Sequence, residues 1–199
     1  SPSQLFRHYN DLWIYDLGTS QWENLTIRNG PPQRSGHRAV YVKSQRKMYI
    51  FGGFNDNHQS IKYYSDVWCF DLDSRTWTAL GHAKSVGGNP KKKNDTAAVT
   101  VDATWPSARS GFGFIYHEST NSLILYGGYC TQTKKNSIEE DANVLSDLWR
   151  YDLTTSTWSQ LKQGGLITPK GRAGCTLFSY QNHILLFGGV IDGEDNATS

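Results

Sequence analysis

Hydrophobic residues in this chain come in short runs closed by glycine pairs: MYIFGG at Met48 to Gly53, LILYGG at Leu123 to Gly128 and ILLFGG at Ile184 to Gly189. These runs do not alternate with polar residues, so they predict strands covered on both faces. A second pattern is amphipathic. NDLWIYDL (Asn10 to Leu17), SDVWCFDL (Ser65 to Leu72) and SDLWRYDL (Ser146 to Leu153) each carry a Trp and, two residues later, another aromatic, which puts both rings on one strand face. Between the rings stand Ile14, Cys69 and Arg150, and a charge at the third marks the opposite face as only partly covered. Each segment leads through a polar turn (GTSQ, DSRT, TTST) to a second Trp nine residues after the first: Trp13/Trp22, Trp68/Trp77 and Trp149/Trp158.

A third element precedes each glycine pair. Pro31 to Gly36 (PPQRSG), Pro106 to Gly111 (PSARSG) and Pro169 to Gly174 (PKGRAG) place an Arg 18, 18 and 16 residues before the doublet. Self-similarity at this period signals stacked supersecondary units. Each unit reads as four strands, the first at Ser35 to Val42, Ser110 to Tyr116 and Gly174 to Tyr180, the second at the aliphatic run. The doublets Gly52/Gly53, Gly127/Gly128 and Gly188/Gly189 supply the positive φ and close backbone approach that a sharp strand exit needs.

Composition agrees with a β protein. Aromatics make up 13% of 199 residues, seven of them Trp, with 19 Gly and one Met, which suits short strands and glycine turns. A net charge of +2 gives no reason to expect nucleic acid or an anionic membrane as partner. Three cysteines, Cys69, Cys130 and Cys175, make neither a disulfide framework nor a zinc pair, so the expected compartment is reducing and intracellular, cytoplasm or nucleus. No apolar run approaches the ~18 residues of a membrane span.

The aliphatic-Gly-Gly, Asp-Leu-Trp and Trp-nine-Trp set resembles the kelch repeat. The resemblance implies four-stranded blades of a β-propeller and covers nearly the whole chain. The expected fold is all-β, a partial kelch propeller of two complete blades and two half blades, about half of a six-bladed ring. The expected division is 1–33 as a half blade (strands three and four) with linker and 34–80 as a blade. An insertion loop at 81–108 separates it from a second blade at 109–161, itself carrying an insertion at 129–145, and 162–199 forms a half blade (strands one and two) with tail. Propellers close with roughly four to eight blades. The chain is therefore expected to be a piece of a longer kelch protein with the remaining blades in cis; the alternatives are half blades that complement each other between two chains, or an open arc docked on a partner.

In an up-down-up-down blade the long connections, Phe54 to Tyr64, Tyr129 to Leu145 and Gly81 to Thr104, emerge on one face, where binding residues concentrate. Arg34, Arg109 and Arg172 sit at the channel mouth on that face. One reading makes them structural, bonding backbone carbonyls between blades; the other makes them a guanidinium ring that grips a carboxylate, as the resemblance to kelch ubiquitin-ligase receptors implies. Ser35, His37, Ser110, Phe112 and Cys175 differ between equivalent positions and are candidate ligand-facing residues. Lys91, Lys92 and Lys93 form a basic cluster in the insertion, a candidate docking point for an acidic segment.

No nucleophile motif, phosphate loop or metal-ligand cluster is present. Propellers of the galactose-oxidase and nitrile-specifier type resemble this one in fold, but the six His are scattered over repeats and loops and the specifier Glu-x3-Asp-x3-His pattern is missing. The expected function is noncatalytic: no cofactor, no metal, and a protein or peptide partner, with service as a recognition or regulatory domain of a larger enzyme as the alternative.

Overall fold

The computed structural model describes residues 7–57, 59–83, 104–133 and 140–191. Apart from two three-residue 3₁₀ turns, the regular elements among them are all strands. A hairpin of β1 (Leu12–Asp16) and β2 (Gln21–Leu25) opens the chain. The first four-stranded antiparallel sheet contains β3 (Arg38–Val42) and β4 (Lys47–Phe51). After a small hairpin, β5 (Phe54–Asp56) with β6 (Ile61–Tyr63), it continues with β7 (Val67–Asp71) and β8 (Thr76–Gly81), in the order β3-β4-β7-β8. The second sheet repeats this plan with β9 (Gly113–His117), β10 (Ser122–Tyr126), the hairpin β11 (Tyr129–Thr133) and β12 (Glu140–Val144), then β13 (Leu148–Asp152) and β14 (Thr157–Gln160). A last hairpin joins β15 (Thr176–Tyr180) to β16 (His183–Phe187). Among the described residues this is a partial kelch propeller: two complete blades flanked by two half blades, with no closed ring.

The Trp-nine-Trp spacing has a simple cause. Register pairs Tyr15 with Trp22, Phe70 with Trp77 and Tyr151 with Trp158 across each outer hairpin. Ring centroids lie 5.0, 5.1 and 5.1 Å apart. The strand-ending Asp then closes the turn, Asp152 Oδ1 accepting from the amides of Thr154 and Thr155 at 2.8 and 3.1 Å. Asp16 and Asp71 do the same in their turns.

The core lies between blades. Phe51 packs edge-on against Phe112 and Trp158, each at 5.4 Å, inside a cluster that joins Val42, Tyr49 and Val67 of the first blade to Leu123, Leu125 and Tyr151 of the second. Burying each such side chain stabilises by roughly 1.5–3 kcal/mol. A smaller cluster, Ile124, Tyr126, Cys175 and Leu177, joins the second blade to the last hairpin.

The structure departs from expectation in three places. Regular pairing of the innermost strands starts about three residues later than the motif suggests, because Gly36, Gly111 and Gly174 take positive φ (65°, 63° and 68°) and turn the chain. Ser35, Ser110 and Ala173 before them make only isolated bridges, to Phe54, Tyr129 and Val190. Second, the aliphatic runs are not all covered on both faces. All five residues of β10 are buried, whereas β16 alternates, with Leu185 48% and Phe187 82% exposed, since no further blade lies against it among the described residues. Third, the long connections after two glycine pairs are ordered hairpins, Phe54 facing Tyr63 and Tyr129 facing Val144 in register.

The glycine pairs fulfil their geometric role. Gly52 and Gly53 have φ of 63° and 90°, and a Cβ on Gly52 would stand 2.7 Å from the Arg109 carbonyl oxygen of the next blade.

Candidate functional site

The repeated arginines are locked within their own blades. Arg34 donates from Nη1 and Nη2 to the two carboxylate oxygens of Asp66 at 2.7 and 2.8 Å, from Nη1 to the Gly52 carbonyl at 2.9 Å and from Nε to Pro32 at 3.1 Å. Arg109, with 0% exposure, repeats the set on Asp147 (2.6 and 2.7 Å), Gly127 (3.0 Å) and Ser107 (3.0 Å). The indole N–H of the next Trp in the motif completes each carboxylate, Trp68 to Asp66 at 2.7 Å and Trp149 to Asp147 at 2.6 Å. Burial pushes the two aspartates up, but the hydrogen bonds and charge of their arginines outweigh it, with the Trp bonds adding, and hold both below the usual carboxylate range.

This geometry corrects both readings of Arg34 and Arg109. Their guanidinium groups are already saturated by an internal carboxylate, so neither can grip a ligand. The staple between blades is backbone: the Arg109 amide donates to Tyr64 at 3.2 Å and its carbonyl accepts from Gly53 at 2.8 Å. Arg172 differs. It makes the matching bonds to Gly188 (3.2 Å) and Lys170 (3.1 Å), but no carboxylate faces it among the described residues.

The other candidate residues do not converge. Ser110 and Phe112 are 0% exposed and Cys175 2%, so none of the three presents a surface to a partner; Phe112 belongs to the interblade core. The glycine turn before Phe112 and before Cys175 rotates that side chain onto the glycine pair of its own blade, as the close approach of Gly128 to Phe112 and of Gly189 to Cys175 records. His37 is half-buried with Nδ1 unpartnered. Burial first, then the charges of Arg34 and Arg38, push its pKa down, so it is neutral near pH 7. Lys91, Lys92 and Lys93 lie outside the described residues.

Ser35 meets His8, with Oγ 3.0 Å from Nδ1. The pair superficially suggests a nucleophile and base. However, Nε2 of His8 accepts the Asp56 amide at 3.1 Å, which puts the proton of the neutral ring on Nδ1. His8 therefore donates to Ser35 and cannot act as its base.

What the face does assemble is aromatic. Phe54 stacks with Tyr63 at 5.8 Å, and Tyr63 meets Tyr129 of the next blade edge-on at 6.1 Å. Arg34 lies 4.1 Å over the Tyr64 ring, and Lys62 caps the same ring at 5.3 Å. Sequence reasoning missed this row because its rings sit on hairpins too short to show a period. It also missed Trp105, which donates to the Ser65 carbonyl at 2.5 Å and packs 6.2 Å from Trp158, anchoring the end of the insertion. The signal available was that Trp105 is the one Trp outside the spaced pairs.

No group of three or more His, Cys, Asp or Glu among the described residues is placed to hold a metal ion. No helix among them is long and apolar enough to cross a membrane.

The repeat, blade topology and clasp define a Kelch-repeat propeller domain, in general a protein-interaction module. The chain belongs to the KLHDC2/KLHL20/DRC7 Kelch-repeats domain family, whose model matches residues 3–104. It is similar to human Multiple epidermal growth factor-like domains protein 8, at 26% identity over 188 residues, covering 92% of this chain and 6% of that protein. It is also similar to mouse Kelch domain-containing protein 1, at 27% over 189 residues, covering 92% and 37%. Tip elongation aberrant protein 3 of Schizosaccharomyces pombe is 28% identical over 169 residues, 78% of this chain and 13% of that protein. The chain thus spans well under two thirds of each relative.

Proposed function

We propose that this chain is a noncatalytic interaction module that takes a protein or peptide on the face carrying the β5–β6 and β11–β12 hairpins. The observation that supports it most is the row Phe54, Tyr63, Tyr129, which runs across two blades beside the exposed cation Lys62. Aromatic and basic groups on a rigid scaffold recognise extended acidic or aromatic peptides. The domain boundaries given above follow the same reading, with residues 81–108 and 129–145 as insertions on this face. Within the family the Pro-x-x-Arg-Ser-Gly starts and Gly-Gly-aromatic exits look most like kelch domain-containing protein 4. In a longer protein the module would act as a recognition domain, a ubiquitin-ligase receptor being one such setting.

The test is selection of peptides from a random library on the immobilised chain, followed by titration against Ile61→Asp and Lys62→Glu, both at exposed positions of β6. Binding weakened at least tenfold by these changes, and unchanged by Lys43→Glu on the opposite turns, supports the reading. Equal affinity for all three variants overturns it.

A further inference from the structure

The junction between the two complete blades turns polar away from the hairpin face. On β4 and β7 of the first blade, Phe51 stands opposite Val67 in the interblade core, and two residues further from the glycine pair Tyr49 stands opposite Cys69. Another step brings Lys47 opposite Asp71. In the second blade the place of Tyr49 and Cys69 in the ladder is taken by Ile124 and Arg150. A role common to every blade therefore does not account for the phenol and the thiol.

Tyr49 and Cys69 line an open cleft of about 390 Å³ between the blades, with Tyr151 of β13 on the second blade's side and Gln45, Ser74 and Ser156 from the turns around it. That volume is in the range of small-molecule sites. The Tyr49 hydroxyl donates to Gln45 Oε1 at 2.5 Å, which leaves its oxygen as an acceptor. The Tyr151 hydroxyl is fully buried and has no hydrogen-bond partner among the described residues. Leaving a buried hydroxyl unpaired is costly, so the group calls for a partner that the cleft can admit. Burial pushes the two phenols and the Cys69 thiol up, so all three are neutral near pH 7; Ser156 offsets part of this at Tyr151 without reaching hydrogen-bond geometry. At the rim, Lys47 Nζ lies 3.8 Å from Asp71 Oδ2, while Asp71 Oδ1 accepts from the amides of Asp73 and Ser74 at 3.1 and 2.9 Å. The two rim charges thus answer each other, and the cleft has no net charge with which to hold an ion.

We propose that this interblade cleft binds a small neutral polyol of about hexose size, with its hydroxyls bonded to Tyr151 and Tyr49. A ligand hydroxyl both donates and accepts, so one can take the Tyr151 proton while its neighbour donates to the Tyr49 oxygen. The cleft has the volume of about a dozen waters at roughly 30 Å³ each, more than one bridging water fills. None of its lining residues comes from the first or the last hairpin, because both walls belong to complete blades. It opens among the turns at the end of the strands opposite the β5–β6 and β11–β12 hairpins, so this assignment stands or falls independently of peptide binding.

The experiment is an amide NMR titration of the chain with myo-inositol and D-glucose, and with D-gluconate and D-glucosamine as charged counterparts of similar size. Saturable shifts confined to the amides around Cys69, Thr78 and Tyr151 are expected with at least one neutral probe. Tyr151→Phe and Tyr49→Phe each remove one hydroxyl and keep the ring, and each is expected to weaken that probe about 3- to 10-fold, the value of a single hydrogen bond. Tyr41→Phe removes the hydroxyl of a half-exposed tyrosine outside the cleft and should leave the affinity unchanged. Polyols also stabilise proteins by exclusion from their surface, which gives no saturation and no dependence on Tyr151. Shifts that grow linearly with every neutral probe, an affinity unmoved by both cleft variants, or tighter binding of a charged probe overturns the proposal.

Discussion

The guanidinium of Arg109, with no solvent exposure, donates to both oxygens of Asp147 at 2.6 and 2.7 Å, tying the entrance of the innermost strand to the start of the third strand in the same blade. Removing the carboxylate leaves a buried cation without a counter-charge. Asp147→Ala is expected to destabilise the fold by about 3–5 kcal/mol, and Asp147→Asn by nearly as much. Combining Arg109→Leu with Asp147→Leu should cost less than either single polar truncation, because no orphaned charge remains. Urea unfolding of the singles and the pair checks both statements.

Acid should dissolve these clasps one protonation at a time. Asp66 and Asp147 titrate below the ordinary carboxylate value in the fold, so their contribution is full above the unfolded value of ~3.9 and is lost as pH falls through their lower folded values. His37 acts over a higher window. Its folded pKa is depressed, so below the unfolded value of ~6.5 the unfolded chain takes up the proton first and stability declines as pH falls. Unfolding midpoints from pH 8 to 3 should therefore drop in two stages. His37→Gln should flatten the first and Asp147→Ala should reduce the second.

The blades were legible in the sequence because their signals are local and repeated: glycine pairs, turn aspartates and aromatics nine residues apart in three copies. The clasp was not, although both of its members lay inside quoted motifs. Arg34 and Asp66 are 32 residues apart, Arg109 and Asp147 38, and a contact at that separation appears only once the second and third strands pair. The candidate ligand residues failed for a related reason. Variation between repeats at Phe112 and Cys175 reflects different packing against neighbouring blades, as in the contact of Phe112 with Phe51, not exposure to a partner. Likewise ILLF has the same pattern as LILY, yet coverage of Phe187 depends on a neighbour that no local pattern encodes.

The junction between β9 and β15 rests on the absence of a side chain. A Cβ on Gly113 would collide with Cγ of Leu177 and lie 2.9 Å from its Cδ1. Gly113 has no positive φ to explain its identity, so the constraint is steric. Gly113→Ala should cost about 1–3 kcal/mol through overpacking, and Leu177→Ala about 2–5 through the cavity left behind. The double variant should cost less than the sum by about 1 kcal/mol or more, since the added methyl enters the vacated space. Additive effects would mean that the last hairpin does not seat on β9.

The paired tryptophans should differ in weight despite identical spacing. Trp158 is 6% exposed, with Tyr151 at 5.1 Å, Phe51 at 5.4 Å and Trp105 at 6.2 Å, so it joins two blades and the end of the insertion. Trp68 is only partly buried and, among the described residues, has no aromatic ring contact to match those of Trp158. Trp158→Ala is expected to destabilise by about 3–5 kcal/mol, in line with other large core aromatics. Trp68→Ala should cost about 1–3, mostly through lost contact area and the bond its indole gives Asp66. Trp105→Ala should fall between them and lower the cost of a later Trp158→Ala, because the two rings share one contact. Denaturant midpoints for the three singles and the Trp105/Trp158 double decide the order, and equal losses at Trp68 and Trp158 would contradict the interblade placement of the latter.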